Sequence, residues 1–285
     1  MAGHWLQHLL AKGPEPAPSV ADGRVRFLGT AGFELVSATG DIVVLDPYLS
    51  RPGLLRSLFG RLEPDAALLR REIPRADAVL CGHSHHDHAL DAPIVCRETG
   101  ALLIGSESTL HLGRAAGLPE AQLRRADGPL RVGNVLATPI PSRHGKAVLG
   151  RVPLPGDIPA PPPWPPRLWD LRHGPVCLWH LDLGDVRVLH VDSADWRDEA
   201  LDGVEADVLC LCAVGRQYRQ DYTRGLVARV RPRWVIPCHW DDFTLPWGHP
   251  PRQLPGVRVE DFADEIRAAG AEPVLMGLGA RWSPG

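Results

Sequence analysis

Several things are scarce in this 285-residue chain, and each scarcity narrows its function. No stretch approaches the roughly 18 uninterrupted apolar residues that span a bilayer, so no transmembrane segment is expected. Residues 1–20 lack a basic start followed by a long apolar core and are not read as a secretory signal. Neither sign of charge dominates, with 31 basic against 34 acidic side chains and a formal net charge of -3. A protein that coats nucleic acid needs a basic footprint to displace counterions from phosphates, so no nucleic-acid partner is expected. The six cysteines form no C-x-x-C pair, and most sit in apolar runs such as DVLCLC and WVIPC. They are expected to be buried, reduced thiols of a cytoplasmic protein. Disulfide staples are not needed, because a chain of this length that is 44% hydrophobic can bury a real core.

What is present is an alternation of short apolar runs with helical stretches and turn clusters. Residues 24–29, 33–37 and 41–46 read as an antiparallel meander, and 78–82 and 101–105 as buried strands. Residues 54–71 carry apolar positions at helical spacing, interrupted by Gly60 and Pro64. Asp91 followed by Pro93 reads as an N-cap opening a helix that ends near Gly100. The second half repeats the layout, with strands near 131–138, 176–183, 186–192, 207–212, 234–239 and 272–276 and helices at about 221–230 and 260–269. This pattern predicts two sheets packed face to face with helices outside, in a single domain over 1–285. A Pro/Trp-rich insertion at about 153–170 interrupts it; its prolines cannot donate ladder hydrogen bonds, so it is expected to be exposed.

Chemistry concentrates at 83–88, His-Ser-His-His-Asp-His, directly after the apolar run AVLCG. So many imidazole and carboxylate groups at the end of a buried strand are costly unless something binds them. Neutral imidazole and carboxylate suit a borderline divalent ion such as zinc. His83 and His85 are two apart, so an extended segment points both the same way, while Asp87 and His88 come from the following turn and can face a second ion. His86 reads as space-filling or solvent-facing, and His180 and His190 as buried, hydrogen-bonded strand residues.

The run GHSHHDHALD resembles the H-x-H-x-D-H signature of the metallo-β-lactamase superfamily. Asp46 in VVLDPY, His144 in PSRHGK, Asp192 in LHVDSAD and His239 in PCHWDDF resemble its other motifs in order, over about 24–277. The resemblance implies an α+β fold, a four-layer αββα sandwich of two mixed β-sheets flanked by helices, with metals at one edge. It implies two zinc ions, with manganese or iron as alternatives. One would be held by His83, His85 and His144, the other by Asp87, His88 and His239, with Asp192 bridging and Asp46 orienting a ligand histidine from behind. The implied reaction is hydrolysis by a metal-bridging hydroxide, with Asp87 as the catalytic carboxylate that holds it and passes a proton.

The D-H-x-L-D continuation and the segments LGTAGFEL, LDPYLS and HWDDF look like the branch containing L-ascorbate-6-phosphate lactonase and the N-acylphosphatidylethanolamine-hydrolysing phospholipase D. That implies a small-molecule or lipid-like substrate with an ester, lactone or phosphodiester bond. The apolar segment 54–59 and Trp164 and Trp169 could rim a greasy entrance, and Arg216 and Tyr218 could contact a substrate phosphate. Two alternatives stand beside this reading. A nuclease-type phosphodiesterase would need a basic channel, and a metal-binding module without turnover would show an occluded metal edge or a missing ligand.

Overall fold

The computed structural model describes residues 13–285 except 15, 17 and 148, so residues 1–12 of the stretch read as carrying no secretory signal lie outside the described residues. Two seven-stranded sheets share one plan. The first contains β1 (Val25–Gly29), β2 (Gly32–Val36), β3 (Ile42–Leu45), β4 (Ala78–Leu80), β5 (Leu102–Gly105), β6 (Leu123–Arg125) and β14 (Arg281–Trp282). Its order is β14-β1-β2-β3-β4-β5-β6, antiparallel as far as β3 and parallel from β3 to β6. The second contains β7 (Leu130–Val132), β8 (Val135–Pro141), β9 (Cys177–Asp182), β10 (Arg187–Val191), β11 (Val208–Cys212), β12 (Trp234–Cys238) and β13 (Glu272–Pro273). Its order is β13-β12-β11-β10-β9-β8-β7, antiparallel from β7 to β10 and parallel from β10 to β13.

The period-2 alternation of strand side chains explains the layering. Val43, Leu45, Ala78 and Leu80 join one core with residues of the second sheet, such as Val188, Leu189 and Val191. Val44, Val79 and Leu103 point the other way, into a second core. There they meet Leu69 of α2 (Ala66–Glu72), Ile94 and Val95 of α4 (Ala92–Thr99) and Leu110 and Leu112 of α5 (Glu107–Ala115). Leu226 and Val230 of α6 (Tyr222–Val230) and Phe262 and Ile266 of α7 (Val259–Ala268) pack on the second sheet. Each fully buried Leu, Val or Phe contributes about 1.5–3 kcal/mol. The result is the αββα sandwich. Among the described residues no helix is long and apolar enough to cross a membrane.

Several expectations need correction. The strand read at 131–138 is the hairpin β7–β8, because Gly133 adopts φ +55° and turns the chain. The strand at 272–276 shrinks to the two residues of β13, while α5, β6 and β14 had no reading. Asp91 occupies the N-cap position of α4, but its side chain does not cap the helix. Its Oδ2 instead accepts from the backbone N–H of Leu49 and Ser50, at 2.6 and 2.8 Å. The Pro-rich insertion is not simply exposed, since Ile158 within it and Leu171 just after it are buried in the second core. Proline lacks a donor but keeps its carbonyl, and the loop is fastened through those carbonyls. Pro155 accepts from Arg172, Pro165 from Arg61 and Pro166 from the Leu62 N–H. The segment 54–59 forms α1 (Leu54–Phe59), which buries no residue; Leu55 and Phe59 are exposed.

Candidate metal centre

The strand ends set the site. Asp46 follows β3, the 83–88 run follows β4, Asp192 follows β10 and His239 follows β12, all at carboxyl ends of strands in the parallel regions of the sheets. His144 follows β8, and His86–Ala89 wind into the single turn α3, which lifts Asp87 and His88 above the strand end. Asp46 and His239 both adopt positive φ, +40° and +55°, a strained conformation for these residues. His239 is held there because its N–H donates to the Thr30 carbonyl at 2.5 Å. Thr30 in turn donates its N–H to Asp241 Oδ1 at 2.7 Å, and the buried Arg51 donates to Asp241 Oδ2 at 2.7 Å. Gly82 is required by close approach: a Cβ there would lie 2.2 Å from Asp192 Oδ2.

Three groups of donor atoms converge, each within 4.8 Å: His83, His85 and His144; His83, His88 and Asp192; Asp87, His88 and His239. The proton positions follow from the partners, because carbonyls and carboxylates only accept. His85 donates Nε2–H to the Pro153 carbonyl at 3.1 Å and keeps Nδ1 free. His144 donates Nδ1–H to the Gly145 carbonyl at 2.7 Å, and His88 donates Nδ1–H to Asp46 Oδ2 at 2.8 Å, so both keep Nε2 free. His83 donates Nδ1–H to Asp192 Oδ2 at 2.6 Å. His83 Nε2 and His85 Nδ1 therefore face each other at 3.0 Å as two lone pairs. That contact is repulsive unless a cation lies against both.

The electrostatics repeat the point. Burial holds His83 and His88 well below the ordinary imidazole range, lowers His85 to about 4 and lowers His144, which keeps all four in the neutral form that ligates metals. Burial, then repulsion from Asp192, pushes Asp46 well above the usual carboxylate range. Burial would also raise Asp87, but the imidazoles of His86, His88 and His239 outweigh it and hold the carboxyl well below its ordinary value. Asp192 Oδ1 and His239 Nδ1 are buried without a hydrogen-bond partner. Crowded carboxylates, opposed lone pairs and orphaned donor atoms in one place fit divalent cations.

The cluster opens into a cavity of about 500 Å³ whose walls include Leu154, Leu168, Trp169, Val214, Phe243 and Val257. Trp169, half-exposed, lines the cavity, and the insertion that carries it supplies part of the wall. Trp164 packs against the second core instead. Arg216 and Tyr218 do not line the cavity. Arg216 is drawn away to the Val257 carbonyl at 2.5 Å, to Glu265 and to the ring of Phe262, and Tyr218 is exposed. His86 lines the cavity edge-on to Tyr48. His190 is buried and donates to the Ala31 carbonyl, and half-buried His180 donates to that of Glu205. All six cysteines are free, with Cys212 on the cavity wall.

One neighbour of the cluster had no sequence reading. His173 stacks on His144 at 5.7 Å and meets His85 edge-on at 5.8 Å. A signal existed: Arg-His-Gly occurs at 143–145 and again at 172–174, and in both copies the ring Nδ1 donates to the following glycine carbonyl.

Residues 24–239 match the family described as the beta-lactamase superfamily domain. The chain belongs to the metallo-β-lactamase superfamily. Among curated relatives it is 25% identical, over 88% of its length and 87% of theirs, to a UPF0173 metal-dependent hydrolase of Thermodesulfovibrio yellowstonii. It is 28% identical to another from Anaeromyxobacter dehalogenans, covering 82% of this chain and 81% of that protein. Of solved structures, the metallo hydrolase Igni18 of Ignicoccus hospitalis superposes with a TM-score of 0.57 at 18% identity, over 90% of this chain and 95% of that one. CmlA, a diiron β-hydroxylase of Streptomyces venezuelae, superposes with a TM-score of 0.59 at 16% identity, over 94% of this chain and 54% of that one. Hydrolases and a hydroxylase thus share the fold, which by itself does not choose the chemistry. The two sequence relatives are metal-dependent hydrolases by name.

Proposed function

We propose that this chain is a metal-dependent hydrolase, that its centre is binuclear and that it cleaves an ester, lactone or phosphodiester bond. The observation that carries the reading is the pair of opposed lone pairs on His83 Nε2 and His85 Nδ1, beside the separate group Asp87, His88 and His239. His83, His85 and His144 would hold one ion and Asp87, His88 and His239 the other. A bridging role for Asp192 is supported by its grouping with His83 and His88, one imidazole from each set. Zinc suits this mixed imidazole and carboxylate set, and manganese or iron(II) are the alternatives. When bound, such ions supply Lewis acidity and make water a nucleophile near neutral pH.

The chain's own residues do the rest. Asp87, held ionised, accepts a hydrogen bond from the attacking water, takes its proton and returns it to the leaving oxygen. Water oxygen joins the carbonyl or phosphoryl centre, the ester bond breaks, and the alcohol departs with the returned proton. Asp46 holds the His88 ring and Pro153 the His85 ring, which fixes the nitrogen each presents. The test is elemental analysis joined to a panel of lactones, phosphodiesters and acyl phospholipids. Two equivalents of metal per chain, with turnover lost in Asp87→Ala, are expected; one equivalent, or unchanged turnover in that variant, removes the reading.

A further inference from the structure

The cavity wall narrows the substrate class further, on the footing of the hydrolase reading above. Beyond the candidate ligands, the described lining residues are chiefly apolar, and no Lys or Arg is among them. Three arginines near the site are engaged elsewhere: Arg216 with Val257 and Glu265, Arg219 with Asp195 and Asp198, and Arg51 with Asp241. Lys146, between the lining residues Gly145 and Ala147, is exposed and is not itself part of the wall. An anionic group away from the metal cluster would lose its hydration against Leu154, Leu168, Trp169, Phe243 and Val257 and gain no countercharge. Phe243 packs edge-on against His239 at 5.3 Å, so the apolar wall begins at the cluster itself.

We infer that the substrate is an uncharged carboxylic ester or lactone whose apolar arm fills this cavity, rather than a phosphorylated compound. In the reaction, the acyl C–O bond breaks as water oxygen joins the acyl carbon. The alcohol takes one proton, and the acid that forms sheds the other to solvent. Trp169, half-exposed in the cavity wall, contacts the arm and is a specificity residue.

Two measurements test this separately from the hydrolase reading. Calorimetric titration of the protein with butanol, hexanol and octanol reads the cavity without turnover. Affinity should rise about fourfold per methylene, the equivalent of about 0.8 kcal/mol, and fall several-fold for octanol in Trp169→Ala. Turnover of p-nitrophenyl acetate, butyrate, hexanoate and octanoate by the metal-loaded enzyme should rise in kcat/KM along the series. The hemisuccinate ester should fall about tenfold or more below the butyrate, and Trp169→Arg should recover it. Trp169 is exposed enough for both variants to fold. Turnover with a flat chain-length profile, or with the hemisuccinate preferred, overturns the inference and leaves a hydrolase. Chain-dependent alcohol binding without turnover of any ester, lactone or phosphodiester removes the hydrolase reading and the substrate class with it.

Discussion

The two sheets share a plan of three antiparallel and three parallel pairings, yet they equip the site differently. The first delivers its groups in one stroke, the 83–88 run after β4, supported by Asp46 after the neighbouring β3. The second delivers single residues, His144, Asp192 and His239, from three strand ends spread over 96 positions of sequence. The first half thus writes its chemistry locally. The second relies on register: β10, β11 and β12 run parallel, which brings Asp192 and His239 out at the same edge.

The sharpest way to break that comparison is Asp192→Ala. If the dispersed residues matter as much as the contiguous run, kcat/KM drops about a thousandfold, a loss on the scale of removing an electrostatic catalytic group. Elemental analysis should show metal lost as well, and a variant with full metal content and turnover would leave the first sheet sufficient.

A second test reads the first sheet alone. Burial raises the Asp91 carboxyl from its ordinary 3.8 to about 6, against opposing hydrogen bonds from residues 49 and 50. Between those values the folded chain binds more protons than the unfolded one, so this group's stability contribution is greatest below pH 3.8 and lost as pH rises through about 6. Relative to Asp91→Asn, the natural protein should lose up to about 3 kcal/mol across that window in denaturant titrations. Parallel pH profiles for the two proteins would refute it.

Asp46→Asn should weaken metal retention by about 10–100-fold under chelator competition, because the carboxylate behind His88 sets its ring and basicity. The smallest effect belongs to His86→Ala, inside the contiguous run but packed on Tyr48 and Phe243. It should cost about 1 kcal/mol of stability and leave metal content unchanged, which would separate this spacer position of the run from its candidate ligands.

The same contrast governs what could be read in advance. Most of the strands, though not β6 or β14, the helices at 92–99, 222–230 and 259–268 and the 83–88 cluster are carried by local patterns of apolar spacing, turn residues and adjacent donors. Arg216 misled because a guanidinium after a buried strand looks available, whereas in the fold it finds a carbonyl, a carboxylate and a ring. The proline insertion misled because missing donors suggest an unattached loop, while its carbonyls fasten it and one of them orients His85.

Sequence alone determined the layered architecture, the superfamily and the candidate ligands, because side-chain periodicity and a dense run of imidazoles are properties of neighbouring residues. Only tertiary structure decided which nitrogen of each histidine is free, which arginines are spent on structure and how apolar the cavity wall is. Those depend on which groups distant segments place within hydrogen-bond reach, and no local pattern encodes that.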